Sequence, residues 1–313
     1  MPRRAPLLTL ALAIALGSAA TSSAAGGGVV QIRRPDGLQF AAAFEPGLAT
    51  DTLILTRVGA RIESFGEDSS LPRRWAAAHA SLTISPFGPG FASSGVNDAG
   101  LAIHLAWRED TSRLEPMPLL ETLQWVQHCL DRFEKVAEVV HSATATGIVG
   151  TAPVQILTCD SNGVCGIVEQ DGGEVVERWA ERLPLPLLTG ATYAESLEFL
   201  NRTLGYGGAP REPEGDAGPA RFARTAAAVN RARSAREAQS VDDVFGVLAV
   251  AAPGDRLPLR VVYDQRARRV YLRRPGITGQ HEVAISDLGA ECGDALPPVA
   301  LVSFDADGAP VAT

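Results

Sequence analysis

The chain has 313 residues, a formal net charge of −8 at pH 7 and a hydrophobic share of 46%. This length is enough for one large domain with a substantial core. The acidic balance and the lack of a basic stripe interleaved with aromatic residues argue against nucleic acid as a partner.

The first 25 residues have the features of a secretory signal peptide. Two arginines near the start precede a short apolar core at residues 7–16, and small residues follow. We expect signal peptidase to cut before Gly26, and a cut before Thr21 is the alternative. The apolar core is too short to span a bilayer, and no later stretch of the sequence qualifies. The sequence therefore predicts an exported protein, periplasmic or secreted, with no membrane span.

The next part of the chain reads as antiparallel strands followed by a helix. Short apolar or alternating runs, broken by proline and glycine, predict strands. These runs lie at residues 29–34, 38–44, 52–57, 79–84 and 100–107. Apolar residues then recur at helical spacing from Leu119 to Val140, which predicts one amphipathic helix.

A hairpin with two cysteines follows. Strands are predicted at 153–159, 164–169 and 174–179. Cys159 and Cys165 flank an Asn-Gly pair, which is a strong signal for a tight turn. In an oxidising compartment we expect a disulfide between them, and two reduced, half-buried thiols are the alternative. The spacing of cysteines and histidines supports no metal site, and we expect no cofactor.

The remainder of the chain returns to helices and then strands. Helices are predicted at 192–204, 220–233 and 241–248, and strands at 258–263 and 269–273, with a Gly/Pro-rich loop at 206–219. Blocks of strands and blocks of helices, without strict alternation, indicate the α+β class with antiparallel sheets. No domain boundary is visible, so residues 26–313 are expected to form a single domain.

Common catalytic motifs are absent from the sequence. It contains no G-x-S-x-G elbow, no H-E-x-x-H pair and no phosphate-binding glycine loop. The five histidines are scattered, and His104 on an apolar strand is expected to be a core histidine with its hydrogen bonds satisfied.

Three short runs follow one another along the chain: SSGVNDAGLAIHLAW (93–107), PLLETLQWVQHCLDRFEKVAEVV (118–140) and RFART (221–225). This ordered set resembles the choloylglycine hydrolase and penicillin V acylase family. The resemblance covers nearly the whole expected mature chain. It implies an N-terminal nucleophile hydrolase fold, a four-layer αββα sandwich with antiparallel sheets. It also implies an enzyme that cleaves linear amide C–N bonds.

The resemblance implies a specific set of site positions. In this family the mature chain begins with a cysteine whose thiolate attacks the amide while its own α-amine acts as base. An Arg and an Asp from a G-R-N-x-D run, an oxyanion Asn, an Asn or Trp at a strand end and a late Arg complete the site. The corresponding positions here are Gly26, Glu45, Trp107, Gly190 and Arg221.

Most of these positions carry a different residue from the family. The G-R-N-x-D run becomes AAAFE (41–45), so that Ala42 replaces the Arg, and Glu45 replaces the Asp. Counting back 19 residues from Glu45 reaches Gly26, which has no nucleophile. The family turn at Asn97 is retained, and we expect its role to be structural.

Two functions follow from this comparison. One is a working amide hydrolase, for which a mature N-terminus at Thr21 would supply a hydroxyl nucleophile. The other is an inactive hydrolase fold that binds a small amphipathic ligand, such as an acyl amide or a steroid-like molecule. The sequence leaves open whether the protein forms a homo-oligomer.

Overall fold

A computed structural model describes most of the chain downstream of the expected signal peptide. The described residues are 27–33, 37–45, 48, 53–65, 70–109, 116–147, 154–171, 174–203, 205–206, 215–234, 240–253, 259–274, 279–289, 297–305 and 309–313. The expected signal peptide, Gly26 and Cys292 lie outside these residues.

The described part of the chain contains seventeen strands and five α-helices. The strands are β1 (Gly28–Arg33), β2 (Leu38–Ala43), β3 (Leu53–Thr56), β4 (Arg61–Glu63), β5 (Arg74–Ala76), β6 (Ser81–Ile84), β7 (Ser94–Asn97), β8 (Ala102–Trp107), β9 (Val154–Cys159), β10 (Cys165–Asp171), β11 (Glu174–Trp179), β12 (Leu187–Leu188), β13 (Arg260–Asp264), β14 (Arg269–Arg273), β15 (His281–Ala284), β16 (Val299–Phe304) and β17 (Pro310–Ala312). The helices are α1 (Pro116–Arg132), α2 (Val136–Thr146), α3 (Tyr193–Asn201), α4 (Gly218–Ser234) and α5 (Val241–Ala251).

Two large antiparallel sheets form the centre of the molecule. The first has six strands in the order β12-β1-β2-β13-β14-β15, and the second has nine in the order β11-β10-β9-β8-β7-β6-β3-β16-β17. Strands β4 and β5 pair separately. Tyr263 of the first sheet donates a hydrogen bond to Ser94 of the second at 2.9 Å, so the sheets pack face to face.

Helices cover the outer faces of both sheets. Helices α4 and α5 pack on the six-stranded sheet, and α1 and α2 pack on the nine-stranded sheet. Gly28 of β1 lies against Ala251 of α5, while Gly95 of β7 lies against Leu130 of α1. The order of layers is therefore helix, sheet, sheet, helix. This confirms the predicted α+β, four-layer αββα sandwich with antiparallel sheets.

The predicted hairpin and its disulfide are both present. Strand β9 pairs with β10 so that Cys159 is directly opposite Cys165. A disulfide joins them with a Cα–Cα distance of 4.1 Å. Gly163 in the turn has a φ of +78°, which glycine adopts without the steric cost that a Cβ would bring. The alternative of two reduced thiols is wrong in this structure.

The prediction of one continuous helix from 119 to 140 is wrong, because the chain breaks between α1 and α2. The side-chain amide of Asn97 donates to the carbonyl groups of Leu130 and Phe133, at 2.9 and 2.8 Å. The Glu138 carboxylate accepts from the N–H of Lys135 at 2.9 Å and thereby caps the start of α2. The sequence could not predict this break, because its helical periodicity continues across it and the capping side chain, Asn97, comes from a distant strand. Asn97 therefore has the structural role that was predicted for it from the family-like turn.

Several short strands were not predicted from the sequence: β4, β5, β7, β12, β15, β16 and β17. Four of them (β4, β5, β12 and β17) have three residues or fewer, which is too short for a periodicity signal of their own. The six-residue strand β16 alternates between buried and more exposed residues, and that pattern was missed. Among the described helices, none is both long enough and apolar enough to cross a membrane.

Candidate functional site

The carboxyl group of Glu45 forms the buried centre of the candidate site. Glu45 follows β2 and is only 7% exposed, although it precedes a proline in a segment that could have been a solvated turn. The backbone N–H of Gly27, just before β1, donates to its Oε1 at 2.9 Å. The other oxygen, Oε2, is buried and makes no hydrogen bond among the described residues.

Burial shifts the protonation of this carboxyl group towards neutrality. Desolvation raises the pKa of Glu45 from 4.5 to about 7, because the charged form loses its hydration. Nearby backbone N–H groups, including those of Gly27 and Trp107, and the Arg221 guanidinium lower the pKa in part. At neutral pH this group can therefore either hold or accept a proton.

No described group that interacts with Glu45 is a hydroxyl or a thiol. These groups are backbone N–H groups and one guanidinium. A Cβ added to Gly27 would lie 2.4 Å from Glu45 Cδ and 2.5 Å from the carbonyl oxygen of Ala43. Position 27 therefore has no room for a side chain, because the Glu45 carboxyl group and the Ala43 carbonyl oxygen occupy the space.

Arg221 of α4 lies in the same region and is almost completely buried. Its side chain is 1% exposed, and its Nη2 lies 2.7 Å from Glu109 Oε1. Its guanidinium also donates to the carbonyl oxygens of Asp216 and Thr189. Arg221 is thus an internal cation with a carboxylate partner, not the surface charge that its position at a helix start beside a loop would suggest.

Glu109 is the residue at this site that the sequence reasoning missed. It follows β8 by two residues, and its second carboxylate oxygen accepts from the backbone N–H of Gly218 at 2.9 Å. Its own N–H donates to the carbonyl oxygen of Gly190 at 2.9 Å. The available sequence signal was that Glu109 follows the predicted site residue Trp107 by two positions. Spacing alone does not pair Glu109 with Arg221.

Gly190 lies under the Glu109 side chain. Its φ is +95°, a region that side chains other than glycine rarely adopt. A Cβ at this position would come within 2.8 Å of Glu109 Cγ. An oxyanion asparagine is therefore disfavoured at position 190 both by backbone conformation and by the neighbouring side chain.

The structure brings together four of the five predicted positions. Glu45, Trp107 and Arg221 interact around the buried carboxyl group, and Gly190 joins them through Glu109. Trp107 takes part through its backbone N–H, at the strand end that the sequence predicted. The fifth position, Gly26, lies outside the described residues, and the described nitrogen bound to Glu45 is that of Gly27.

Ala42 occupies the position where the family resemblance implies an arginine. It is completely buried in β2, opposite Val29 of β1 and Val261 of β13. No charged group could be accommodated between these two apolar partners without a large desolvation cost.

A surface pocket adjoins the Glu109–Arg221 pair. Its volume is about 430 Å³, within the range of small-molecule sites. The apolar part of its wall comes from Ala191, Phe199 and Pro219, and the polar part from Glu109, Glu195, Glu198 and Arg202, with Gly190 between them. The wall is therefore amphipathic. Within the described ranges, no group of three or more His, Cys, Asp or Glu side chains is placed to hold a metal ion.

The arrangement of layers identifies the class of fold, the αββα sandwich of N-terminal nucleophile hydrolases. Penicillin V acylase from Agrobacterium tumefaciens has a similar structure, with a TM-score of 0.69, 18% sequence identity and coverage of 90% of this chain and 92% of that chain. A variant of conjugated bile acid hydrolase from Clostridium perfringens is similar with a TM-score of 0.68, 14% identity and coverage of 89% and 97%.

These similarities confirm the predicted resemblance at the level of the fold. Identities of 18% and 14% are too low to carry residue roles across. No protein-family model matches the sequence, and no curated protein is significantly similar to it.

Proposed function

We propose that this chain is an exported, single-domain protein derived from linear amide C–N hydrolases of the choloylglycine hydrolase and penicillin V acylase type. In this proposal it binds a small amphipathic molecule and does not hydrolyse it. Export rests on the signal-like first 25 residues, and the ancestry rests on the shared fold together with the ordered sequence runs.

The observation that carries the proposal is the contact between Glu45 and Gly27. The Glu45 carboxyl group occupies the space that a side chain at position 27 would need. Positions 26, 27 and 28 are all glycine, so a start at any of these residues has no side-chain nucleophile. A catalytic base at this site would have no hydroxyl or thiol to activate.

The remaining groups offer little to a direct attack by water. Amide hydrolysis also requires donors directed at the developing oxyanion, and each such donor contributes about 2.7–4 kcal/mol. Gly190 has no side-chain amide to act as an oxyanion donor, and the Glu109 side chain covers Gly190. The Arg221 guanidinium is already paired with the Glu109 carboxylate. We therefore expect no turnover above background.

The pocket beside Glu109 supports the binding role. Its apolar wall suits an acyl chain or a fused-ring body, and its charged rim suits a polar end group. Penicillin V and a conjugated bile salt are suitable first ligands, because the structural neighbours carry these names.

The test combines the mature terminus, turnover and binding. The exported protein is analysed by intact mass, and its hydrolysis of penicillin V and of glycocholate is followed by product chromatography. Binding of both compounds is measured by calorimetry. We expect a terminus at Gly26, no hydrolysis and measurable binding of at least one compound.

Two results would contradict the proposal in different ways. Turnover that is abolished by Thr21→Ala, with a mature mass beginning at Thr21, would establish a threonine hydrolase instead. Complete absence of binding by folded protein would remove the ligand-binding role.

A further inference from the structure

The Glu109 carboxylate fills an arrangement of donors that suits an anion. One oxygen lies 2.7 Å from Arg221 Nη2, and the other accepts from the Gly218 N–H at 2.9 Å. Gly218 is the first residue of the 17-residue helix α4, so its N–H points out of a positively polarised helix end. A guanidinium and a free helix N–H together are a typical site for a carboxylate.

Arg221 needs an anionic partner because it is buried. Its guanidinium otherwise contacts the carbonyl oxygens of Asp216 and Thr189, and its Nε makes no hydrogen bond among the described residues. Glu45 is close, but burial favours the neutral form of that carboxyl group. Glu109 is therefore the carboxylate that neutralises Arg221 directly.

Of Glu109 and Arg221, only Glu109 can be reached by a ligand in the described structure. Its side chain is 34% exposed and lines the pocket beside Phe199 and Pro219, whereas Arg221 is 1% exposed beneath it. The hydrogen bond from Glu109 to Gly190 involves only backbone atoms, so rotation of the Glu109 side chain towards solvent would leave it intact. A ligand in the pocket could then meet the guanidinium that Glu109 vacates.

We propose that Glu109 is a displaceable internal carboxylate that competes with the carboxylate of an amphipathic ligand for Arg221 and the Gly218 N–H. The apolar part of the ligand lies against Phe199 and Pro219. This inference rests on the proposed ligand-binding function and adds to it the chemistry of the polar end of the ligand and an internal competitor that weakens binding.

The experiment compares two glutamates of the same pocket. Glu109→Ala removes the internal carboxylate, and Glu198→Ala removes a carboxylate that pairs with Arg202 at 2.9 Å and not with Arg221. Octanoate and the neutral isostere octanamide are titrated into each purified protein, and their dissociation constants are measured by calorimetry. Thermal unfolding followed by circular dichroism verifies that each variant is folded.

We expect Glu109→Ala to bind octanoate at least about tenfold more tightly than the wild type, which corresponds to release of one competing carboxylate. Glu198→Ala should change octanoate binding by less than about threefold, because it alters only the local field. Octanamide should bind all three proteins about equally. Glu109→Gln should give an intermediate gain, because its amide oxygen still accepts from Gly218.

Equal gains in Glu109→Ala and Glu198→Ala would overturn the inference, since a general field effect would then explain both. An unchanged or weaker affinity for octanoate in Glu109→Ala would overturn it as well. If octanamide binds while octanoate shows no gain, the inference fails and the ligand-binding function stands. If neither compound binds any folded variant, the inference fails, and the titrations with penicillin V and glycocholate decide the ligand-binding function.

Discussion

At the scale of single residues, two buried titratable side chains have pKa values shifted in opposite directions. Burial raises the pKa of Glu45 from 4.5 to about 7, and it lowers the pKa of His104 from 6.5 to about 3. In both cases desolvation penalises the charged form, so the folded protein favours the neutral form of each side chain more than the unfolded chain does. Each therefore links the stability of the fold to pH.

The Glu45→Gln variant should lose one component of this pH dependence. The folded protein holds a proton on Glu45 that the unfolded chain releases above pH 4.5, so this contribution is complete below pH 4.5 and is lost as pH rises through about 7. The difference in pKa corresponds to at most about 3 kcal/mol. We therefore expect the difference in melting temperature between Glu45→Gln and the wild type to become more favourable to the variant as the pH increases from 5 to 8.

Differential scanning calorimetry across that range measures this effect. Glu198→Gln is the matched control, because it makes the same substitution at a side chain that is 71% exposed. A pH-independent difference for Glu45→Gln would contradict the assignment of a raised pKa.

His104 differs from the satisfied core histidine that was predicted. Its ring packs edge-on against Phe44 with a centroid distance of 4.8 Å, and neither ring nitrogen has a hydrogen-bond partner among the described residues. An unsatisfied buried polar group costs about 1–3 kcal/mol. The sequence pattern placed this side chain in the core correctly, but it could not reveal that no described group forms a hydrogen bond with the ring nitrogens.

Replacement of His104 by leucine should therefore stabilise the protein. The unfolded chain binds a proton at His104 below pH 6.5, while the folded chain does not until about pH 3. The wild type thus loses stability as pH falls from 6.5, and His104→Leu should gain most at pH 5. Urea unfolding at pH 5 and pH 7.5 measures the gain, with the exposed His141→Leu as control. A destabilised His104→Leu protein at both pH values would indicate a partner for the ring.

At the scale of elements, side chains from distant strands determine where α1 ends. Asn97 donates to the carbonyl groups of Leu130 and Phe133, and its own oxygen accepts from the Leu101 N–H at 2.9 Å. These carbonyl groups belong to the end of a helix, where intrahelical partners run out. One asparagine therefore fixes both the turn between β7 and β8 and the break between α1 and α2.

Removal of this cap should cost about 2–3 kcal/mol, because it leaves buried carbonyl groups unsatisfied. We expect Asn97→Ala to lower the free energy of unfolding by this amount in urea titrations. Asn162→Ala, in the exposed hairpin turn, should change it by less than about 0.5 kcal/mol. Equal, small effects for both variants would show that Asn97 is not a structural cap.

The β9–β10 hairpin provides a second test at this scale. The disulfide closes a short loop with a sequence separation of 6, for which the chain-entropy model gives a contribution of about 2 kcal/mol. The Cys159→Ser/Cys165→Ser double variant should therefore be less stable by about that amount. Peptide mapping after alkylation of the unfolded, unreduced wild type should find Cys129 modified and Cys159 and Cys165 protected. Alkylation of Cys159 would contradict the disulfide.

At the scale of the whole molecule, polar contacts between the two sheets align the layers. The Tyr263 hydroxyl group donates to Ser94 Oγ, and Ser94 Oγ donates to the carbonyl oxygen of Ile103 at 3.1 Å. All three groups are buried between apolar surfaces. The alignment of the layers sets the position of β8 relative to β2. It thereby sets the position of Glu109, which follows β8, relative to Glu45, which follows β2.

Tyr263→Phe should lower the free energy of unfolding by about 1 kcal/mol, the net contribution of one buried hydrogen bond. Ser94→Ala should cost more, because it removes both of these hydrogen bonds. A double-mutant cycle in urea measures their coupling, which we expect to be above about 0.5 kcal/mol. Additive effects would show that this contact does not join the sheets.

The sequence by itself determined the class of fold, most of the longer elements and the hairpin with its disulfide. Local periodicity, turn chemistry and the order of the family-like runs are properties of the chain that need no coordinates. Only the tertiary structure revealed the Glu109–Arg221 pair, the occupation of the Gly27 side-chain space by Glu45, and the break after α1. These features depend on contacts between residues distant along the chain, and their direction and distance are set by how the four layers pack.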